Sequence, residues 1–356
     1  MSSQKLIVII GATGAQGRAV IDALLAPVAD GSPSPYAVRA LTRDPKGSHA
    51  LQLSARGVEC VQGAFDDFDS VAAAFDGAYG AWVNTDGFTV GEMKEIYSGI
   101  RIFETAKQTP SLRHYVWSNL HHPFKDTGYN PNYKVGHMDG KARVGEWLQA
   151  QPSILSDDGL TWSKVTSGPY MELLQTVMFG PLNKRKDGTF VFASPVADGQ
   201  VPMIALGDLG WWARWTFDHR AETSARNLEI STEKVGWKHL VETFTRVTGH
   251  PAVFKRQTID EWWTNFDDRI NNPAANERER GDGSVTIREN FSAFWRVLRD
   301  DIIKKDMAWI RSVHPTGYTL ESWMREKKYE GQFESQLKNE QDGKAWGPNR
   351  EKMALL

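Results

Sequence analysis

Short apolar runs alternate with amphipathic stretches along the first half of the chain, and this alternation predicts a repeating strand–helix unit. Lys5–Ile10 is an apolar run with β-branched residues, and Arg18–Leu25 has apolar residues at helical spacing after a glycine-rich turn. The alternation continues through further predicted strands. They lie at Tyr36–Thr42, Glu59–Gly63, Gly80–Asn84, His114–Asn119 and Leu160–Ser167.

Amphipathic segments between these strands are predicted to be helices. They span Ser48–Arg56, Val71–Phe75, Gly91–Gln108 and Val135–Gln149. Strands that are separated by helices at this spacing pair in parallel, and the helices cover both faces of the sheet. The predicted fold class is therefore α/β, with a Rossmann-type doubly wound parallel sheet.

The pattern changes after Pro169, where short strand-like runs such as GTFVFASP replace the regular alternation. We therefore predict one domain over residues 1–168, to which some later segments return, and a smaller α/β substrate lobe over 169–356. Helices are predicted in this lobe at Gly207–Phe217 and Trp237–Val247. Polar composition predicts a loop at Asn271–Ser284 and a polar tail at Gln332–Arg350.

Charge and composition narrow the classes of function. The chain has 356 residues, with 42 basic and 44 acidic side chains and a net charge of −2, so its charge gives no reason to expect a nucleic-acid partner. Cys60 is the single cysteine, which excludes an internal disulfide and suits a reducing compartment. Neither a leader nor an apolar run of transmembrane length is seen, so we expect a cytoplasmic monomer or homodimer without membrane contact.

The turn GATGAQG, between the first strand and the first helix, has the spacing of a dinucleotide phosphate loop. Its first glycine permits the tight turn, its second lets a pyrophosphate approach the backbone, and its third lets the helix pack closely on the strand. Backbone N–H groups at the helix start would then face the phosphates. The residues predicted to line this loop are Gly11, Thr13, Gly14, Ala15, Gln16 and Gly17.

The end of the second strand indicates which dinucleotide is bound. NAD-binding proteins often place an acidic side chain there for the ribose 2′-hydroxyl, whereas a 2′-phosphate needs cations. The strand ends in LTRDPK, with Arg43 at the discriminating position and Lys46 close behind it. Asp44 either weakens a phosphate site or caps the next helix. NADP(H) is therefore the predicted cofactor.

A series of motifs occurs in order, within a stretch of similarity that covers roughly residues 5–265. They are GATGAQG, ALTRDPK, GVECVQGAFDD, GAYGAWVNT, HYVWSNL and HMDGKARVGEWL. Together they resemble the NmrA-like branch of the atypical short-chain dehydrogenases/reductases. The resemblance implies a Rossmann-type sheet with a substrate lobe and NADP(H) at the strand ends. It also implies either a reductase of secondary metabolism or a regulator, because the branch contains both.

The resemblance assigns further positions to the cofactor site. Arg43 would contact the 2′-phosphate, and Lys141 would lie beside the nicotinamide-side ribose. The other matching positions are Asp67 and Phe68 at the adenine edge, Thr85, Gly87 and Phe88 near the nicotinamide-side ribose, and Pro169, Tyr170, Met171 and Glu172 over the nicotinamide.

The segment HMDGK bears directly on catalysis. Ordinary short-chain reductases place a tyrosine and a lysine four residues apart on one helix face, where the tyrosine donates a proton and the lysine holds the ribose. Here His137 takes the place of the tyrosine and Lys141 that of the lysine. His137 is either an imidazolium proton donor or a plain polar residue of the helix. Other candidates for contact with a substrate are Ser118, Tyr129, Tyr133 and Tyr170.

Two classes of function fit these features. The first is an NADP(H)-dependent oxidoreductase that transfers hydride to or from a bulky conjugated carbonyl or imine/iminium compound. Whether the same pocket also shapes a cyclisation of that compound is left open. The second is a redox sensor that binds NADP(H) and a partner protein without turnover. We predict the first, and no metal, since His121 and His122 lack further ligands at metal spacing. Tryptophans favour a bulky apolar substrate, although packing in the core is their commoner role: Trp211, Trp212, Trp215, Trp262 and Trp263.

Overall fold

The structure is a computed structural model that describes residues 4–335, 337 and 346–356. These residues form two compact units, each with its own core. Unit 1 comprises the residues up to His121, Gly140–Ser167 and Leu209–Ile230. Unit 2 comprises His122–Asp139, Gly168–Asp208 and the described residues from Ser231 onward.

Strands occur in both units. In chain order they are β1 Lys5–Ile10, β2 Tyr36–Thr42, β3 Glu59–Gln62, β4 Gly80–Val83, β5 His114–Asn119, β6 Thr161–Thr166, β7 Asn183–Lys184, β8 Phe190–Ser194, β9 Val201–Met203, β10 Arg226–Glu229, β11 Glu233–Val235 and β12 Ala252–Arg256. The sheet of unit 1 has the order β10-β6-β5-β4-β1-β2-β3, and all its neighbouring strands run parallel. Strand order reverses between β1 and β4, as in a doubly wound sheet. The predicted Rossmann-type fold class is therefore confirmed.

Helices connect the strands. In chain order they are α1 Ala15–Leu25, α2 Ser48–Ser54, α3 Phe68–Phe75, α4 Gly87–Val90, α5 Glu92–Lys107, α6 Pro123–Asp126, α7 Gly136–Gln149, α8 Leu206–Asp218, α9 Arg220–Thr223, α10 Trp237–Thr248, α11 Ile259–Trp263, α12 Ile287–Arg299, α13 Met307–Val313, α14 Leu320–Glu326 and α15 Arg350–Met353. Segments of 3₁₀ helix lie at Pro131–Tyr133, Met171–Gln175 and Asp268–Asn271. None of the helices in the described ranges is both long enough and apolar enough to cross a membrane.

The core of unit 1 lies along the middle strands of its sheet. Every residue of β4, β5 and β6 is buried, as are the last four residues of β1. Trp82, Trp117 and Trp162 fill this core and are at most 2% exposed. A parallel sheet that is covered on both faces requires such continuous burial. Polar chemistry is therefore left to the turns that follow the carboxyl ends of the strands.

Several element boundaries in unit 1 differ from the sequence prediction. The helix predicted from Val71 begins earlier, at Phe68, because the Asp67 carboxylate accepts a hydrogen bond from the Ser70 N–H and caps it. The short helix α4 begins at Gly87 after β4, where no helix was predicted. Capping residues are polar, so the spacing of apolar residues alone does not detect the first turn of a helix.

Unit 2 contains two small sheets and an aromatic core. Strand β8 pairs in parallel with β12 and antiparallel with β7, and β9 pairs antiparallel with β11. Trp262 and Trp295 are fully buried with ring centroids 5.0 Å apart, and Trp237 packs on Trp295 at 6.2 Å. These tryptophans have the packing role that is usual for such residues.

The two polar segments predicted in the second half of the chain have different outcomes. At 271–284 the structure has turns and bends after the end of a 3₁₀ helix, and Pro273 forms an isolated bridge with Thr286. In the predicted tail at 332–350, residues 336 and 338–345 lie outside the described residues.

Candidate functional site

The glycine turn follows β1 at the point where the strand order reverses. Gly11 has a φ of +82°, which favours glycine, and a Cβ on it would lie 2.6 Å from the Asn84 carbonyl oxygen. A Cβ on Gly17 would lie 2.2 Å from the Gly11 oxygen, so α1 packs directly on the turn. Gly14 differs, because the nearest atom to a Cβ there is the Gly11 oxygen at 3.4 Å. The space beside Gly14 is therefore open to a ligand group.

The first turn of α1 presents backbone N–H groups without a capping side chain. Gly14 is the N-cap, and the first turn holds no acidic residue. N–H groups at a helix start carry partial positive charge and bind phosphate. Arg18, which the sequence analysis did not single out, lies in the same part of α1, and its buried Nε has no hydrogen-bond partner in the described ranges. The turn therefore fits a dinucleotide pyrophosphate.

Arg43, Asp44 and Lys46 follow β2, which is the neighbour of β1. The side chains of Arg43 and Lys46 are exposed, and no ion pair of either cation is found in the described part of the chain. The Asp44 carboxylate accepts a hydrogen bond from the Lys46 N–H at 3.0 Å. Asp44 therefore organises the turn before α2 but does not cap the helix, whose N-cap is Gly47 without a side-chain hydrogen bond.

The predicted adenine edge lies where β3 leads into α3. Asp67 caps α3, as described above. The Phe68 ring meets the Tyr97 ring edge-on, with centroids 5.8 Å apart, and the Arg101 guanidinium lies 5.6 Å from the Phe68 centroid. The aromatic surface of Phe68 is therefore held by side chains of α5.

Lys141 lies on α7, and oxygen atoms surround its ammonium group. Its Nζ donates to Asn84 Oδ1 at 3.1 Å, to the Thr85 carbonyl at 2.7 Å and to Thr85 Oγ1 at 3.1 Å. Nζ also lies 3.1 Å from Glu95 Oε1. An ammonium group has three N–H donors, so these oxygens can occupy all of them. Lys141 is only 9% exposed, and its charge is balanced inside the protein.

Strand β5 contributes a wall beside Lys141. The Trp117 indole N–H donates to the Lys141 carbonyl at 3.1 Å, and Lys141 Nζ lies 5.5 Å from the indole centroid, within cation–π distance. Ser118, the predicted hydroxyl near a substrate, follows Trp117 and is 3% exposed. Successive residues of a strand point to opposite faces, so the contact of Trp117 with Lys141 does not extend to Ser118.

Asn84 joins Lys141 to the glycine turn. Its N–H donates to the Ile10 carbonyl at 3.2 Å, and its Nδ2 lies 3.5 Å from the position of a Cβ on Gly11. Its Oδ1 accepts from Lys141, as given above. Thr85 was predicted from the sequence as a site residue, but Asn84 was not. Asn84 is a polar residue directly after a buried strand where the strand order reverses, and such a position is a candidate for ligand binding. Lys141, Thr85 and the glycine turn therefore form one contiguous site within unit 1.

Glu95 is the second residue of this site that the sequence analysis missed. It lies on α5 and is 0% exposed. Its Oε1 accepts a hydrogen bond from the Thr85 hydroxyl at 2.7 Å, in addition to the ion pair with Lys141. Its Oε2 is buried without a hydrogen-bond partner in the described ranges. A carboxylate in phase with the apolar residues Ile102 and Ala106 of the same helix would have revealed it.

His137 has its contacts in unit 2. The Asn290 Oδ1 accepts a hydrogen bond from the Gly136 N–H at 3.0 Å, which directs the Asn290 Nδ2 toward His137 Nδ1 at 2.9 Å. An amide nitrogen is only a donor, so His137 Nδ1 must accept and the ring proton lies on Nε2. The His137 ring is stacked on Phe291, with centroids 5.4 Å apart. This contact favours the neutral form of the imidazole.

The segment predicted to close over the nicotinamide also lies in unit 2. The Ile204 N–H donates to the Pro169 carbonyl at 2.9 Å, and Tyr170 forms an isolated parallel bridge with Ile204. Met171 is fully buried. Pro169 and Tyr170 are half-buried and remain at the surface of the unit.

Glu172 has structural partners in unit 2. Its carboxylate accepts a hydrogen bond from the Leu206 N–H at 3.2 Å, at the start of α8, and another from the Trp323 indole N–H at 3.2 Å. Burial raises the pKa of Glu172 above its usual value. Its carboxyl group therefore stabilises a helix start within unit 2.

The remaining candidates occupy separate places. The Tyr133 hydroxyl donates to Asp300 Oδ2 at 2.9 Å, and this hydrogen bond raises the pKa of Tyr133. Tyr129 is 56% exposed. Among the residues that the structure describes, no group of three or more metal-ligating side chains is found near His121 and His122 or elsewhere. Of the five tryptophans, Trp211, Trp212 and Trp215 belong to unit 1, whereas Trp262 and Trp263 belong to unit 2.

The sheet order and the glycine turn define a protein of the Rossmann type. The chain belongs to the NmrA-like family, whose model matches residues 3–280. It is 37% identical over 279 residues to ptmS of Penicillium ochrochloron, an NmrA-like family domain-containing oxidoreductase, with 74% of this chain and 79% of that relative covered. It is 24% identical over 270 residues to malD of Malbranchea aurantiaca, which has the same description, with 72% and 76% covered. The resemblance inferred from the motifs is confirmed.

Solved structures share the fold over most of the chain. One is NmrA, a negative transcriptional regulator, in complex with NADP, with a TM-score of 0.60, 20% identity, and 91% of this chain and 95% of that chain covered. Another is the NADPH-dependent quinone oxidoreductase QOR2 of Escherichia coli, in complex with NADPH, with a TM-score of 0.65, 16% identity, and 91% and 100% covered. At these identities the likeness concerns the fold alone.

Proposed function

We propose that the protein is an NADP(H)-dependent oxidoreductase of secondary metabolism, which transfers hydride to or from a bulky conjugated carbonyl or an imine or iminium compound. The observation that carries this proposal is the contiguous site of unit 1, in which Asn84 connects Lys141 to Gly11 at the reversal of strand order. Dinucleotides bind at this place in doubly wound sheets. The relatives ptmS and malD, both described as oxidoreductases, support it.

The preference for NADP(H) over NAD(H) is inferred from the cationic side chains that follow β2. NmrA has been solved with NAD and with NADP, so this fold accommodates both cofactors. In this chain Arg43 and Lys46 follow β2 without a carboxylate partner in the described residues, and Asp44 is engaged by the turn. A charge-assisted hydrogen bond to a phosphate stabilises a complex by about 1.5–3 kcal/mol. We therefore assign Arg43 to the 2′-phosphate.

The residues of the site have complementary tasks. NADPH, when bound, supplies the hydride, and the protein supplies orientation and exclusion of water. The open side of Gly14 and the start of α1 would hold the pyrophosphate. Lys141 would hold the nicotinamide-side ribose, and because its donors already meet oxygen atoms, a ribose hydroxyl must replace one of them. Asn84 is the partner that we expect to be exchanged, since it is half-buried whereas Thr85 and Glu95 are buried.

The proton donor is open between His137, Tyr170 and solvent. The direction of the Asn290 amide favours a neutral His137, which is a weak acid. An iminium substrate would need no proton from the protein. His137 would then act as a hydrogen-bond donor through Nε2, and this favours an iminium, which needs no proton after hydride addition, over a plain ketone.

The test is the near-ultraviolet absorbance of NADPH bound to the wild-type protein while conjugated carbonyl, imine and iminium compounds are added. We expect one of these classes to cause its loss. Arg43→Ala should weaken NADPH binding roughly 10- to 150-fold and leave NADH binding unchanged. Gly14→Val is the matched control, because its side chain would fill the open space and abolish binding of both cofactors.

A second candidate function is a redox sensor that binds NADP(H) and a partner protein. The amide donor of Asn290 at His137 Nδ1 favours it, since a neutral imidazole, a weak acid, then replaces the tyrosine that donates the proton in an ordinary reductase. NmrA, with a TM-score of 0.60, is a regulator with this fold. If no compound oxidises bound NADPH while the two redox forms of the cofactor change the affinity for another protein, the sensor replaces the oxidoreductase.

A further inference from the structure

We propose that Glu95 is a positioning residue, which fixes the place of the Lys141 ammonium and through it the nicotinamide-side ribose. The role toward the ribose rests on the proposed function, whereas the role toward the Lys141 ammonium concerns the protein alone. Nothing in the sequence motifs points to Glu95, which lies on a different helix from Lys141.

Glu95 interacts with Lys141 both directly and through the Thr85 hydroxyl. Its Oε1 lies 3.1 Å from Lys141 Nζ and accepts from the Thr85 hydroxyl at 2.7 Å. The same hydroxyl oxygen accepts from Lys141 Nζ at 3.1 Å. The three groups therefore close a triangle of hydrogen bonds, in which a shift of the carboxylate moves both of its partners.

The backbone around Glu95 is shaped to the carboxylate. A Cβ on Gly87 would lie 2.3 Å from Glu95 Oε2, and a Cβ on Gly140 would lie 3.0 Å from the same atom. Gly140 is inside α7, where a glycine costs about 1 kcal/mol of helix stability relative to alanine. Two positions without side chains thus form a recess for one oxygen atom, and a Cβ at either position would crowd the carboxylate.

The charges near the pair leave Glu95 as the main counter-ion of Lys141. Glu92 on α5 and Arg143 on α7 are paired with each other, with 3.4 Å between Oε1 and Nε. The Asp86 carboxylate accepts a hydrogen bond from the Thr89 hydroxyl at 2.6 Å. The other oxygens around Lys141 belong to neutral groups of Asn84 and Thr85. Without the Glu95 charge, the buried ammonium would lose its protonated form more readily.

The first experiment needs no cofactor. The side-chain amine of Lys141 is titrated by NMR in protein with isotope-labelled lysine, and its signal is assigned by its loss in Lys141→Met. We expect the midpoint of Lys141 to fall in Glu95→Gln, because a buried ammonium that loses its counter-ion loses its proton more readily. Glu95→Asp, which keeps the charge but withdraws it by one methylene, should give a smaller shift in the same direction. Glu92→Gln is the matched control, one turn away on α5, and should leave the midpoint unchanged.

The second experiment measures NADPH binding from pH 7 to 10 in wild type, Glu95→Gln, Lys141→Met and the double variant. If Glu95 acts through Lys141, Glu95→Gln weakens binding about tenfold or more at the alkaline end and adds nothing in the Lys141→Met background. Glu95→Asp serves in place of Glu95→Gln if the latter does not fold.

The outcomes separate this inference from the proposed function. An unchanged Lys141 midpoint in Glu95→Gln and Glu95→Asp would overturn the positioning role. Losses of NADPH affinity that multiply in the double variant would also overturn it. If the midpoint shifts as expected but wild-type protein does not bind NADPH, the coupling of Glu95 to Lys141 stands and the proposed function fails.

Discussion

His137 and Lys141 lie four residues apart on α7 and have opposite surroundings. Lys141 meets oxygen atoms, one of which belongs to the buried carboxylate of Glu95. His137 meets the amide donor of Asn290 and the ring of Phe291. Acceptor oxygens stabilise a cation, whereas a donor directed at a ring nitrogen disfavours one. One position therefore holds a charged group, and the other holds a neutral one.

The comparison separates two properties that a short motif combines. Spacing of four residues places two side chains on one face of a helix. It does not set their protonation states, which depend on partners from other elements. Glu95 comes from α5, and Asn290 comes from α12, which lies far along the chain. A lysine in a reductase-like motif can thus keep its role while the residue beside it loses the role of acid.

The largest expected effect comes from removing the charge of Lys141. Lys141→Met leaves the Glu95 carboxylate buried without a cation, and breaking a buried pair in this way costs about 3–5 kcal/mol of unfolding free energy. Lys141→Met combined with Glu95→Gln removes both charges, while the Thr85 hydroxyl can still donate to the glutamine oxygen. Urea unfolding should therefore show the double variant to be more stable than Lys141→Met alone. A double variant as unstable as the sum of its single changes would mean that the two charges do not interact.

A change at Asn290 should make the surroundings of His137 favour a charged ring instead of a neutral one. Asn290→Asp keeps the acceptor for the Gly136 N–H and replaces the amide donor with a carboxylate oxygen beside His137 Nδ1. A carboxylate at this distance should raise the pKa of His137 by about 1–3 units relative to that in the wild type. NMR titration of the His137 ring measures this shift, and Asn290→Ser is the control that removes the amide without adding charge. Equal His137 midpoints in the two variants would argue against a wild-type ring held neutral by the amide.

Six of the seven described strands in the sheet of unit 1 could be predicted because they carry their own signal, whereas the largely polar edge strand β10 was missed. Continuous apolar runs such as Lys5–Ile10 and the helices between them determine a parallel sheet. Unit 2 was predicted less completely, and α12, α13 and α14 were missed. A local signal for α12 does exist, because Thr286 and Glu289 form a capping box directly before its apolar residues.

The residues of the candidate site also differ in how far the sequence alone could reveal them. The glycine turn is local, so its residues could be named from the sequence. Glu95 was within reach, since it interrupts the apolar stripe of α5 formed with Ile102 and Ala106. Asn290 was not, because its contact with His137 joins elements that only the folded unit 2 brings together. Sequence patterns therefore predicted the glycine turn and the place of Lys141 on a helix better than they predicted the side chains that surround Lys141 and His137.

His114 in unit 1 is a second histidine whose surroundings disfavour its charged form. His114 is fully buried among the hydroxyl groups of Thr161 and Ser163, and burial, with a further contribution from Arg220, lowers the pKa of His114 to about 3. Its pKa in the unfolded chain is about 6.5. Between these values the unfolded chain binds one more proton, so stability falls as the pH falls, by about 1.4 kcal/mol per pH unit. Urea unfolding between pH 5.5 and 4.5 should show a slope in wild type that is shallower by this amount in His114→Gln. Equal slopes would mean that His114 is not held neutral.

The smallest expected effect lies between the two compared residues, at Gly140. Alanine is the better helix former by about 1 kcal/mol, yet a Cβ at this position would lie 3.0 Å from Glu95 Oε2. Because Lys141 and Thr85 hold that carboxylate in place, we expect Gly140→Ala to lower the unfolding free energy by about 1 kcal/mol or less. In a Glu95→Ala background the obstacle is absent, so the same change should stabilise the protein by about 0.5–1 kcal/mol. A gain in both backgrounds would show that the recess does not need a glycine, and that Glu95 moves more freely than its contacts imply. The NMR signals of His137 should stay unchanged in every case, since His137 contacts Asn290 and Phe291 and the recess lies around Glu95.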